Sequence, residues 1–301
     1  MAKQPQTTFL DPKTINQAEA LGLHARFVVE GYMSGEHKSP FRGFAIEFTQ
    51  HREYVPGDDI RHLDWKVLGR TDRYYLKQYE QETNYVAHIL LDGSESMNYG
   101  SGSITKLHYS KMMAACLSYL ILLQRDAVSM GIFDRAMRHF IPRTSNMAMI
   151  HNIMSLLAGF KADGETNIAA ILHDLAGQIK RKGIVIIISD FLDNEEAVLD
   201  GIQHIRFGGS EVVVFHVMDP FELEFPFKGM VEFEGLEKIP KILARPQEIR
   251  RSYMAQLEAF KTRIREGCER NNCHYVLVNT RNPLHEVLTS YLAFRLRTTT
   301  R

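Results

Sequence analysis

The sequence predicts a doubly wound, Rossmann-like α/β fold with a central, mostly parallel sheet. Three observations predict it. Short apolar runs at 86–91, 127–133, 183–189, 212–217 and 274–278 have the length and residue types of buried strands. Longer stretches with helical periodicity separate them, as in successive βαβ units. Two of the runs lead directly into a carboxylate, Asp92 and Asp190, at the strand ends where open α/β sheets bind ligands.

The first strand, 86–91, feeds the segment Asp92-Gly93-Ser94-Glu95-Ser96. A helix is expected over 106–124, with Ser110, Ala114, Leu117 and Ile121 on one face. Small residues there let the helix lie close to a sheet. A short edge strand is expected at 138–141, and helices at 147–157 and 168–179. The helix at 195–207 ends at Gly208-Gly209, as helix C-termini do. Pro246 opens a long helix over 246–270. The last helix covers 284–296. One stretch, about 220–241, breaks the alternation. Phe221 to Phe225 and Met230 to Glu234 each alternate apolar and acidic residues, which predicts an inserted β-hairpin with one wet face. Its acidic residues Glu222, Glu224, Glu232, Glu234 and Glu237 make either a solvated face or a partner-docking edge.

Residues 1–85 read differently. The first 20 are polar and expected to be mobile, with a short amphipathic helix at 15–21. Residues 31–43 read as a Gly- and Ser-rich loop, Pro56-Gly57 as a turn, and 74–80 as a strand. The chain of 301 residues is 45% apolar and 24% charged, ordinary values for a soluble globular protein. Its formal net charge is zero, so no electrostatic footprint for nucleic acid or an anionic membrane is expected. No apolar stretch is long enough to insert in a bilayer, and no secretion signal is evident. Cys116, Cys268 and Cys273 form no disulfide or zinc pattern. Reduced thiols and a cytoplasmic location are expected.

Asp92, Ser94 and Ser96 are oxygen donors. With no thiolate or imidazole among them, they suit a hard divalent cation, Mg²⁺ foremost, with Mn²⁺ or Ca²⁺ also possible. Taken alone, the motif is equally a helix-capping loop. Gly164-Glu165-Thr166-Asn167 before the 168–179 helix, and Asp190 after the 183–189 strand, add two further oxygen-bearing loops. The set Asp92, Ser94, Ser96, Thr166 and Asp190, in this order, resembles the metal-ion-dependent adhesion site of von Willebrand factor A domains. The resemblance implies that Ser94, Ser96 and Thr166 hold the ion directly. Asp92 and Asp190 would act through bound water, and a partner's carboxylate would fill the open position.

A second stretch, Arg52-Glu53-Tyr54-Val55-Pro56-Gly57-Asp58-Asp59-Ile60-Arg61-His62-Leu63-Asp64-Trp65, is dense in charge and turn residues. Together with Asp92 to Met97, Asp219-Pro220 and Tyr291-Leu292-Ala293-Phe294-Arg295, it resembles domain-of-unknown-function family 58. That family joins such a signature segment, here about 21–85, to a von Willebrand factor A-like domain, here 86–301. The signature is either structural or a docking surface. In the first case Asp58 and Asp59 cap a turn and pair with Arg52 or Arg61, while Trp65 anchors the segment on the core. In the second, Arg52, Asp58, Asp59 and Arg61, with Glu95, contact a partner. The resemblance implies association with MoxR-type AAA+ ATPases and their client proteins, as an adaptor in assembly or activation.

Three functions compete at this stage. The favoured one is a non-enzymatic binding module whose ion bridges to a partner carboxylate. The second is a metal-dependent hydrolase or phosphotransferase. Against it, Ser94 stands where a second carboxylate would be needed, and neither a G-x-S-x-G elbow nor a Walker-type loop is present. The third is a scaffold with an idle metal site. There Glu95 could turn inward and take the partner's position.

Overall fold

The computed structural model describes residues 45–55, 64–71, 73–82, 86–164, 166–179, 182–233 and 242–299. The helix expected at 15–21 and the loop at 31–43 lie outside these residues, as do Asp58, Asp59 and Arg61. The chain divides into two compact units, one spanning Phe41–Tyr85 and one formed by the remainder.

In the smaller unit, β1 (Ala45–Glu53) pairs antiparallel with β2 (Tyr75–Glu82), with a bulge between Phe48 and Gln50. Arg52 lies in β1 opposite Leu76. A short helix, α1 (Trp65–Thr71), stands between the strands in sequence. Buried Asp64 starts it: its carboxylate accepts from the Val67 amide at 3.2 Å, and its carbonyl from the Leu68 amide. Trp65, expected as an anchor, is 67% exposed. As the first residue of α1 its side chain leaves the capped turn toward solvent.

The main sheet of the larger unit has six strands among the described residues: β3 (Val86–Asp92), β4 (Ala127–Phe133), β5 (Met137–Thr144), β6 (Ile184–Ser189), β7 (Glu211–Met218) and β10 (His274–Asn279). Their spatial order is β10-β7-β6-β3-β4-β5, all parallel except β5, which runs antiparallel to β4 at the edge. The β5 arm extends beyond the expected 138–141. Strands β3, β4 and β6 are buried nearly throughout, as strands covered on both faces must be.

Helices cover both faces. On one side α4 (Ile168–Gln178) and α5 (Glu195–Phe207) pack beside each other, with α7 (Pro246–Arg270) against α5. Ile171, Leu172, Leu175, Val198, Ile202 and Ile264 interlock there with Leu90, Val185, Ile187 and Val214 of the sheet. Each such side chain contributes roughly 1.5–3 kcal/mol by leaving water. On the other side lie α2 (Lys106–Leu123), α3 (Ile150–Gly159) and α8 (Leu284–Thr299), with Tyr291 of α8 edge-on to Phe215 of β7. The face of α2 expected from Ser110, Ala114, Leu117 and Ile121 is fully buried. Helix α5 ends at Gly209, whose φ of 83° no side-chain-bearing residue adopts without strain. All three cysteines are free and buried.

The interruption at 220–241 differs from expectation. Phe221 to Phe225 is not a strand but a helical turn, α6 (Pro220–Glu224). Asp219 caps it, Pro220 sets its first residue and Glu222 reaches back to the Asp219 amide, a complete capping box that overrides the alternating pattern. A hairpin does form, from β8 (Val231–Phe233) and β9 (Ile242–Ala244), with 234–241 outside the described residues.

Two positions test this packing. A Cβ at Gly93 would overlap the Phe160 ring and crowd Ile132. Gly93→Ala is expected to destabilise the domain by about 1–3 kcal/mol in urea melts. An unchanged midpoint would show that Phe160 is free to withdraw. Asp126 is 3% exposed, its Oδ1 has no hydrogen-bond partner, and burial pushes its carboxyl up to about 7 from 3.8. A raised carboxyl pKa favours the folded state while protonated, so that stability is lost as pH climbs from the unfolded value toward 7. Asp126→Asn is therefore expected to gain about 1–2 kcal/mol at pH 8 and almost nothing near pH 4. Equal gains at both pH values would contradict this origin.

Candidate functional site

The chain leaves β3 toward β4 on one side of the sheet and later returns to β6 on the other side. That reversal opens a crevice at the carboxyl ends of β3 and β6, the topological switch point where doubly wound sheets bind ligands. Leu91 pairs with Ile188, so Asp92 ends β3 beside Ser189, and Asp190 follows at once. The two carboxylates are thus neighbours because two buried strands end together.

The loops after these strands and before α4 are tied by backbone bonds. The Glu95 amide donates to the Gly164 carbonyl at 2.8 Å and the Asp163 amide to the Gly93 carbonyl at 3.2 Å. The Ile168 amide, at the start of α4, donates to the Asp193 carboxylate at 2.8 Å. Residues 92–96, 163–164, 166–168 and 190–194 therefore form one cluster, and the candidates Asp92, Ser94, Ser96, Thr166 and Asp190 all stand on it.

Asp92, Ser94, Ser96 and Asp190 are buried. Asp92 Oδ1 accepts from the Ser94 amide at 2.9 Å, and Oδ2 from the Ser189 hydroxyl at 2.6 Å. The Ser189 hydroxyl in turn accepts from the Phe191 amide at 2.9 Å. The hydroxyls of Ser94 and Ser96 lie 3.0 Å apart. Among the described residues Thr166 Oγ1, sealed from solvent, has no hydrogen-bond partner, an unusual state for a buried hydroxyl, worth roughly 1–3 kcal/mol of destabilisation. Glu95 opens a short 3-10 turn, Glu95–Asn98, and is only partly buried.

One residue of this cluster carries no sequence signature. Lys106, the first residue of α2, is 1% exposed and donates to Asp190 Oδ2 at 2.7 Å and to Glu222 Oε1 at 2.8 Å. Its surroundings order the local charges. Burial, with Asp190 nearby, pushes Asp92 up to about 7. Burial also acts to raise Asp190, but the Lys106 ammonium outweighs it and holds that carboxyl below the ordinary range. Burial acts to lower Lys106, and Asp190 and Glu222 outweigh it in turn. Burial leaves Glu222 raised despite its bond to Lys106.

The donor set suits a hard cation. Two hydroxyls in contact, a third with no partner and two carboxylates offer oxygen alone. Among the described residues no group of three or more His, Cys, Asp or Glu side chains is placed to hold a metal ion, so an ion here would rest largely on hydroxyls. Of the other candidates, Arg52 lies in the smaller unit, and Asp58, Asp59 and Arg61 lie outside the described residues. No described helix is long and apolar enough to cross a membrane.

An uncharacterized protein of Mycobacterium tuberculosis is 25% identical over 232 residues, covering 75% of this chain and 72% of that protein. Among solved structures, the conserved hypothetical protein BatB from Bacteroides thetaiotaomicron has 17% identity and a TM-score of 0.46, covering 71% of this chain and 99% of that one. The SpRpn10 VWA domain has 11% identity and a TM-score of 0.42, covering 68% of this chain and 94% of that one. The profile described as "Protein of unknown function DUF58" matches residues 50–263, so this chain belongs to the DUF58 family.

Proposed function

We propose that the protein is a non-enzymatic interaction module that binds a partner's carboxylate through a divalent cation, Mg²⁺ foremost. Ser94, Ser96 and Thr166 hold the cation, and Asp92 and Asp190 orient its waters. The observation that carries this reading is Thr166 Oγ1, a buried hydroxyl with no partner on the same tied loops as two hydroxyls in mutual contact. A buried polar atom left without a bond is destabilising unless something else engages it. Neutral hydroxyl ligands leave most of a divalent charge uncompensated, so the cation supplies an electrophilic centre for an external Asp or Glu.

The proposed partner is a MoxR-type AAA+ ATPase together with its client proteins, in assembly or activation. This part rests on the family resemblance alone. Its test is association of the purified chain with such an ATPase in Mg²⁺, lost in chelator. Two folded proteins that never associate in Mg²⁺ would contradict it.

The cation reading has its own test. Thr166→Val keeps the shape and removes the orphaned hydroxyl. Isothermal titration of Mg²⁺ and Mn²⁺ is expected to show one saturable site in the wild type and at least about tenfold weaker binding in the variant, the loss of one ligand being worth more than about 1.4 kcal/mol. The metal-free variant is expected to melt at the same temperature as the wild type or above it, because no hydrogen bond is lost. A folded wild type with no saturable site, or a variant that binds equally well, would contradict the reading.

A further inference from the structure

Lys106 is placed where a lysine is doubly disfavoured. It opens α2, and a helix N-terminus carries partial positive charge that repels cations. It is also almost fully buried, and an ion taken out of water loses several kcal/mol unless its partners are well made. Those partners come from two different places. Asp190 belongs to the oxygen cluster at the strand ends, and Glu222 belongs to α6. Glu222 is fixed by the capping box, its Oε2 accepting from the Asp219 amide at 2.8 Å. Asp219 Oδ2 accepts from the Ser101 amide at 2.9 Å, keying α6 into the loop that follows Ser96. The Lys106 amide donates to the Tyr99 carbonyl of that loop at 2.8 Å, and its ammonium lies 5.9 Å from the Tyr99 ring centroid. One ammonium therefore bridges the candidate ion cluster and the start of the acidic insertion.

Lys106 is thus shared between two carboxylates, Asp190 of the ion cluster and Glu222 of α6. A cation bound near Asp190 and the Lys106 ammonium would repel each other across a low-dielectric interior.

We propose that Lys106 sets the affinity of the ion site, its ammonium serving as the resident counter-charge of Asp190 and shifting toward Glu222 when a divalent cation binds, so that cation occupancy is felt at the Asp219–Glu224 turn. This rests on the cation reading above. Lys106 is a positioning residue here: it acts through Asp190 and Glu222 and touches no partner.

The test is titration of Mg²⁺ into the full-length wild type, Lys106→Met and Glu222→Gln, with amide hydrogen exchange of residues 219–225 followed with and without Mg²⁺. Lys106→Met removes the competing charge and is expected to bind Mg²⁺ at least about tenfold tighter, even though its melting temperature falls. Glu222→Gln leaves the ammonium wholly on Asp190 and is expected to bind at least about threefold weaker. Mg²⁺ is expected to alter exchange at 219–225 in the wild type and not in Lys106→Met. A purely structural lysine would lower stability without tightening binding. If the wild type binds Mg²⁺ but affinity is unchanged in both variants, or exchange at 219–225 ignores Mg²⁺, the coupling is overturned and the cation reading stands. If the wild type binds no Mg²⁺, both are overturned. Should Lys106→Met fail to fold, Glu222→Gln and the wild-type exchange decide alone.

Discussion

A buried carboxylate must find hydrogen-bond donors or a counter-charge, and this fold buries two of them side by side at the ends of its most sheltered strands. Much of the local structure answers that demand. The Ser94 amide and Ser189 hydroxyl are aimed at Asp92, the Leu192 amide and Lys106 ammonium at Asp190. Phe191, between Asp190 and Leu192, takes a left-handed φ of 56°, which a bulky residue adopts only where its surroundings enforce it. The loop bonds from Gly164 to Glu95 and from Asp193 to Ile168 then set the spacing of the hydroxyls.

Seen this way, the hydroxyls and the carboxylates have separate roles. The carboxylates are largely satisfied by the protein, each holding at least two donors. The hydroxyls differ: Ser94 and Ser96 bond to each other and also engage Asp92 and Asp190, whereas among the described residues Thr166 has no partner. Under the proposed function a cation would meet the least satisfied atoms first, with the carboxylates acting at one remove.

The sheet and the candidate ligand loops were readable because their signals are local. A run such as Ile184 to Ile188 ending at Ser189-Asp190, or Ala87 to Leu91 ending at Asp92, states both burial and a polar end within a few residues. Alternation misled at Phe221 to Phe225. There Asp219, Pro220 and Glu222 make a capping box, and the acidic residue that looked solvent-facing turns back onto its own backbone and onto Lys106. Lys106 itself was invisible. Its partners are 84 and 116 residues away in sequence, and a lysine opening a helix gives no hint of burial. The one conceivable signal was its position, a cation where the helix dipole disfavours it.

The proposed function requires the hydroxyls of Ser94, Ser96 and Thr166 to converge on one hard cation. Anomalous scattering from crystals grown with Mn²⁺ tests it most directly. The expected result is a single strong peak at a coordination distance of about 2.0–2.6 Å from those three oxygens. Well-ordered density for all three side chains with no anomalous peak among them, at a saturating Mn²⁺ concentration, would contradict it.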